Sequence, residues 1–253
     1  MPETWTPLLL GVVGVCVFLY GFSKTAMPVA GVLAGPLLAA ALGATVASGL
    51  MVPLLLLGDL FALGYYRQHA DWALIRRLVP GVLLGFAITA LLFRFLPVST
   101  LGRIIGVLIL ASVALEVWRR WSERHDLEHE LVPMRSRAGI LFFGSLAGMT
   151  TMAANAGGTA MTLYLVKMRV SMLAFMGTSA WFFLILNLIK VPVIGGLGFI
   201  TPQTLLTDLW LSPLIVVGAL VGVAVFKRMN EQVFTTIALS LSALAAIWLI
   251  VHG

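Results

Sequence analysis

Charge is what this sequence has least of. Sixteen Lys/Arg and ten Asp/Glu make up 10% of 253 residues, while 60% are hydrophobic and mean hydropathy is +1.06. Soluble domains carry about a quarter charged residues. A chain of this length buries a sizeable core and still needs a polar surface to meet water. This one has too little charge to make that surface, which excludes a soluble globular domain and leaves an all-α integral membrane protein. Cysteine is nearly absent as well. Cys16, the only one, excludes an internal disulfide and any cysteine-based zinc site, and reads as an apolar helix residue. The N-terminus, MPETWTPLLLGVVGV, lacks the basic residues of a secretory signal, so it reads as a retained membrane helix. There is no H-E-x-x-H, P-loop or G-x-S-x-G pattern. Asp59 is the only acid expected in mid-segment, so no pair of buried carboxylates is expected for acid–base work. These absences speak against an enzyme, a metal, a cofactor or ATP-driven transport by this chain. The net charge of +6 fits basic cytoplasmic loops and gives no support to nucleic-acid binding.

What the sequence has in abundance is long apolar runs. They lie near residues 6–22, 26–44, 47–66, 78–96, 101–118, 138–154, 157–167, 172–194, 209–226 and 232–251. A helix crossing the roughly 30 Å hydrocarbon core needs about 20 such residues, so 157–167 is too short. One polar linker, 118–137, separates a first half (1–117) from a second (138–253), and the halves resemble each other. Pro80, Gly85 and Arg94 match Pro213, Gly218 and Lys227 at one offset. Upstream the offset shifts, setting Lys24 against Asn155 and Asp59 against Lys190. Each half has about five apolar segments. An odd count makes the second half enter from the opposite face, giving two inverted-topology repeats. Loops near 67–77, 118–137, 167–170 and 227–231 hold twelve Lys/Arg, against Arg94 and Arg103 on the other side. That bias makes these loops cytoplasmic and both termini external. The first two segments of each half either cross twice or form a re-entrant hairpin, and both readings are open on the sequence. Six tryptophans fall near segment ends as an interfacial belt; Trp181, one turn into its helix, is a candidate to face the cavity.

From Thr4 to Gly58 the only charged residue is Lys24, in GFSKTAMPVAG. In the hairpin reading, Lys24 and Asn155 are tips near the midplane. A helix is expected to start after each, with Thr25 as a cap on the first and Gly157 and Gly158 opening the second. Helix N-termini attract anions. Lys24 adds a full charge, and Ser23, Thr25, Asn155 and Thr159 add neutral donors. An intramembrane ion is presumed functional. Asp59 is therefore expected to pair with Lys24 or with Lys190, or to carry a coupling proton, with Asn187 one turn before Lys190. Thr45 and Ser48, with Thr178 and Ser179, read as caps of matching helices. His125 and His129 in HDLEHE read as part of a solvated connector. The function this pattern favours is secondary-active transport of a small anion, its site between the repeats near the midplane, with one repeat element rocking against the other. An anion channel, or a membrane assembly subunit, is the alternative.

Two stretches, GFSKTAMPVAGVLAGPLLAAALGATVAS and GSLAGMTTMAANAGGTAMTLYLVKMRVSMLAFMGTS, with the later pair PGVLLG and PLIVVGALVG, resemble the TauE/SafE sulfite exporter family over nearly the whole chain. The resemblance implies a permease of a prokaryotic inner membrane for sulfite, sulfonates or related anions. It points to the opening hairpins, and so to Ser23, Lys24, Thr25, Asn155, Gly157, Gly158 and Thr159, as the substrate region. The first hairpin is less glycine-dense than expected of the family, and Lys167 stands where the first half has Pro36. Expected partners are the anion, the bilayer and protons as coupling ion; a homodimer is compatible with the sequence.

Overall fold

The computed structural model describes residues 5–31, 34–92, 137–154, 157–196 and 198–252, and residues 95, 100, 103, 107, 110 and 114 besides. Most of the fifth apolar segment, the linker with His125 and His129, and Asn155 lie outside the described residues. Among the described residues all regular structure is helical. Helix α1 is Pro7–Thr25, followed by a 3-10 turn Pro28–Gly31, α2 Ala34–Leu42 and α3 Ala44–Tyr66. A second 3-10 turn, Arg67–His69, leads to α4 Trp72–Leu92. The second half gives α5 Arg137–Ala154, α6 Gly157–Lys167, α7 Met172–Gly196, α8 Pro202–Phe226 and α9 Glu231–His252.

Among the described residues six helices are long and apolar enough to cross a membrane: α1, α3, α4, α7, α8 and α9. Their outer faces are apolar, as lipid requires: Leu8 is 79%, Leu209 68% and Trp210 84% exposed. Prolines 53, 80, 192 and 213 lie inside these helices, where surrounding helices re-satisfy the freed backbone groups. The starts are capped by local chemistry. Thr6 Oγ1 accepts from Leu9 N at 3.2 Å ahead of Pro7. Thr201 and Thr204 form a reciprocal capping box ahead of Pro202. That box starts α8 seven residues before the apolar run expected from 209, and so brings Asp208 into the helix.

The expected segment 26–44 is not one helix. Pro28, which lacks an N–H, sits in the 3-10 turn, and only nine residues of α2 follow. At about 1.5 Å per residue, α2 spans about 14 Å and α6 about 16 Å, roughly half a hydrocarbon core. Each half therefore opens with a long helix followed by a short one.

The chain forms two compact units, each drawing helices from both halves of the sequence: Met1–Asp71 with Met172–Asn230, and Trp72–Ser171 with Glu231–Gly253. In the first, α1 packs on α8 over a core of Val13, Cys16, Val17 and Tyr20 against Leu211 and Ile215, with Leu50 and Leu54 from α3. Backbones touch at glycine. A Cβ on Gly218 would meet Phe18 O and lie 3.0 Å from Phe22 N, and one on Gly21 would meet Ile215 O. In the second unit α4 packs on α5 in the same manner. There a Cβ on Gly85 would meet Ser145 O and lie 3.0 Å from Met149 N, and one on Gly148 would meet Val82 O. Gly85 and Gly218 are the pair matched in sequence, and Val82 and Ile215 share their offset. The opposing residues also share one offset: Phe18 with Ser145, Gly21 with Gly148, Phe22 with Met149. Ser23 and Thr150 extend it, each hydroxyl donating to the carbonyl three residues back, at 2.8 and 3.0 Å. This register sets Lys24 against Thr151, not Asn155. The small-residue similarity that suggested Asn155 is common between apolar segments and discriminates poorly.

Small residues at such crossings let membrane helices meet, since lipid supplies no hydrophobic drive between them. Gly218→Val and Gly85→Val are expected each to cost about 1–3 kcal/mol or more, read as a lower melting temperature in detergent. Gly64→Ala, where nothing lies within 4 Å, is expected to leave it unchanged. Equal melting of all three would contradict the close approach.

Candidate functional site

The site begins with one carboxylate. Asp59 lies about 22 Å along α3 from its start and is fully buried. Lys24 Nζ, from the last turn of α1, stands 2.6 Å from Asp59 Oδ1. Asn187 Nδ2, from α7, donates to Asp59 Oδ2 at 2.6 Å. Both carboxylate oxygens are thus engaged, by side chains from two other helices. Phe183, one turn before Asn187, places its ring centroid 4.9 Å from Lys24 Nζ, a cation–π contact. Lys190, one turn after Asn187, is close enough for its charge to act on both Asp59 and Lys24. Of the alternatives open on the sequence, the structure takes the Lys24–Asp59 pair and sets Lys190 in its field. With all three ionised, the cluster carries one net positive charge.

Local packing explains how a lysine is held there. Gly58 leaves room for the aliphatic stem: a Cβ at that position would lie 3.0 Å from Lys24 Cγ. The end of α1 is fixed on two sides. Tyr66 Oη donates to Thr25 O at 2.9 Å, and Thr25 Oγ1 donates to Ala219 O at 2.7 Å. Gly222 leaves space for that hydroxyl. The Ser23 hydroxyl donates to Tyr20 O. The protons of Ser23 and Thr25 are therefore spent on backbone.

Several local expectations are corrected. Lys24 ends a helix instead of preceding one, and Thr25 is the last residue of α1 and no cap; Pro28 has no N–H to continue the α1 ladder to Lys24 O, and a 3-10 turn follows. The α1 dipole there presents its negative end, which favours the ammonium itself. Thr178 and Ser179 are the seventh and eighth residues of α7, not its start. Thr178 Oγ1 accepts from Asp71 N at 2.9 Å, and Trp181 Nε1 donates to Arg67 O at 3.3 Å; together they tie the turn after α3 onto α7. Lys167 is not a loop residue. It ends α6, is buried, and lies 4.8 Å above the ring of Phe143.

In the second unit the start of α6 agrees with expectation. Gly157, Gly158 and Thr159 open the helix and are buried. The space beside Gly157 is filled by the Thr151 hydroxyl. Thr159 Oγ1, Thr162 Oγ1 and, on α9, Ser242 Oγ are buried without a hydrogen-bond partner among the described residues. Thr162, Ser242, Phe183 and Asp208 were not anticipated. Phe183 had a signal, standing one turn before Asn187 on the same face; the threonine and serine had none.

A family model described as Sulfite exporter TauE/SafE matches residues 13–249. The chain belongs to the TauE/SafE sulfite exporter family. The match takes in Lys24, Asp59, Asn187 and Lys190 together. No curated protein and no solved structure matches significantly. As a TauE/SafE protein with six candidate membrane spans, the chain is a multi-pass membrane transporter acting on a small anion, and not an enzyme.

Removing one partner of a buried pair leaves the other uncompensated and costs about 3–5 kcal/mol, whereas replacing both by apolar groups is often neutral. Asp59→Leu is expected to lower the melting temperature in detergent strongly, and Lys24→Met with Asp59→Leu to restore most of it. A double variant as unstable as the single one would contradict the pairing.

Proposed function

We propose that this TauE/SafE protein is a secondary carrier for a sulfur oxyanion or organosulfonate, sulfite foremost, and that Lys24 is its principal anion ligand. The observation that carries the reading is the buried Lys24–Asp59 pair held by Asn187, with the half-buried Lys190 beside it, a cluster that carries one net positive charge when Lys190 is ionised. An anion has two ways to gain there. It can pair with the surplus charge, or it can replace Asp59 on Lys24. In the second case Asn187 keeps hold of the carboxylate while the ammonium changes partner. Lys190 offsets the negative charge that arrives. Ser23 and Thr25 serve by fixing the end of α1, since their hydroxyl protons are already committed. At the start of α6, the N–H groups of Gly157 and Gly158 and the Thr159 hydroxyl offer a further donor set for an anion within the second unit.

A carrier is favoured over a channel because the cation is closed off by its own counter-ion and by Phe183, an arrangement that must open once per cycle. We further assign the protein to a prokaryotic plasma membrane, with the basic turn after α3 (Arg67) and the start of α4 (Arg76, Arg77) cytoplasmic.

Purified protein in liposomes is expected to move sulfite, sulfonates or thiosulfate by saturable counterflow, and carboxylates less well. The Lys24→Met, Asp59→Leu double variant, folded by the criterion above, is expected to lose at least 100-fold of that flux, at the level of about 2.7 kcal/mol of lost interaction. Wild-type-like flux in the double variant would remove Lys24 from the site; flux linear in concentration would favour a pore.

A further inference from the structure

Asp208 is a second buried carboxylate, one that the anion cluster does not use. It lies in the inward stripe of α8, which runs Thr204, Asp208, Leu211, Ile215, Gly218. It is 6% exposed, and neither Oδ1 nor Oδ2 has a hydrogen-bond partner among the described residues. The hydroxyls within one turn on its own helix are committed elsewhere, Thr207 Oγ1 donating to Gln203 O at 2.9 Å. Thr204 Oγ1 donates to Thr201 O at 2.8 Å, and Ser212 Oγ donates to Leu209 O at 2.8 Å.

Among the described residues the helices that pack most extensively on α8 are α1 and α3. Their titratable groups are Cys16, Tyr20 and Lys24, and Asp59, Tyr65 and Tyr66. None stands level with Asp208. Gly14 meets Leu214, and Gly218 meets Phe18 and Phe22, so α1 and α8 run the same way. Taken over these contacts and that of Gly21 with Ile215, the register sets Asp208 near Leu10 and Gly11, between one and two turns of α1 before Cys16. On α3, Gly49 meets Phe199 and Gly58 meets Ile215, so Asp208 falls between them, opposite Met51 to Leu55 and short of Asp59. Those residues carry no charge. Glu3 lies outside the described residues.

An ionised carboxylate left without a partner in apolar surroundings bears the full cost of a buried charge. A carboxylic acid does not. No group of three or more His, Cys, Asp or Glu side chains placed to hold a metal ion occurs among the described residues. We infer that Asp208 is a proton-binding site: it holds a proton in this conformation and releases it in a conformation that admits water, so that proton movement is linked to the transport cycle. The bond that forms and breaks is the carboxyl O–H, and water is the acceptor. The linkage to transport rests on the carrier reading above; the bound proton does not.

The test has two arms. In the first, infrared difference spectra of purified wild type and Asp208→Asn at neutral pH are compared. The carbonyl stretch of a protonated carboxyl, present in wild type and missing in the variant, is expected; its absence from wild type overturns the inference. In the second, sulfite flux in liposomes is measured with and without a pH gradient. Asp208→Asn is expected to keep counterflow and lose the response to the gradient, and Asp208→Glu to keep both. A full response in Asp208→Asn overturns the inference. If wild type moves none of the anions tested, the carrier reading fails, and the infrared arm still decides whether Asp208 holds a proton.

Discussion

The structure is organised around a single ion pair. Burying Lys24 without a partner costs several kcal/mol, and burying Asp59 without one costs a similar amount. At 2.6 Å each offsets much of the other's cost, and Asn187 takes the remaining carboxylate oxygen. That requirement joins α1, α3 and α7 at one point. It explains why Gly58 precedes Asp59 and why Phe183 stands a turn before Asn187. It also explains why Thr25 and Tyr66 both bind to the end of α1. A helix bearing a buried ion has to be held in register, or the pair does not form.

Glycine sets the other constraint. The crossings of α1 with α8 and of α4 with α5 place backbone against backbone at matching positions. The same contacts recur in two units built from different helices. Close crossings of this kind are stiff, because nothing at them can rotate aside. Away from these crossings, the hydroxyls of Thr159 and Thr162 on α6 and Ser242 on α9, and the carboxyl of Asp208, are buried without a hydrogen-bond partner among the described residues.

Much of the fold was legible. Low charge and long apolar runs fix a membrane protein, and TauE/SafE membership follows from the small-residue stretches of both halves. Lys24, Asp59, Asn187 and Lys190 stood out because ions and amides inside apolar segments are conspicuous, and α6 was legible from its two glycines. What escaped was local and geometric. Pro28 cuts a segment that composition alone joins. Thr201 and Thr204 start α8 through side-chain bonds ahead of the apolar run, so Asp208 looked like a loop residue. Lys167 looked like a loop residue, whereas it ends α6 over the ring of Phe143. The register of the opening helices depends on which glycine meets which carbonyl, and hydropathy contains no record of that.

The central claim is that Lys24 exchanges Asp59 for an anion. The chain has four lysines, few enough for each side-chain nitrogen to be resolved by solid-state NMR of 15N-lysine-labelled protein in lipid, with Lys24 assigned by substitution. The account predicts an ammonium resonance coupled to the Asp59 carboxylate carbon without ligand, and loss of that coupling with a shift of the resonance when sulfite is added. A Lys24 resonance that stays coupled to Asp59 and unmoved under saturating sulfite, in protein that transports it, would contradict the account.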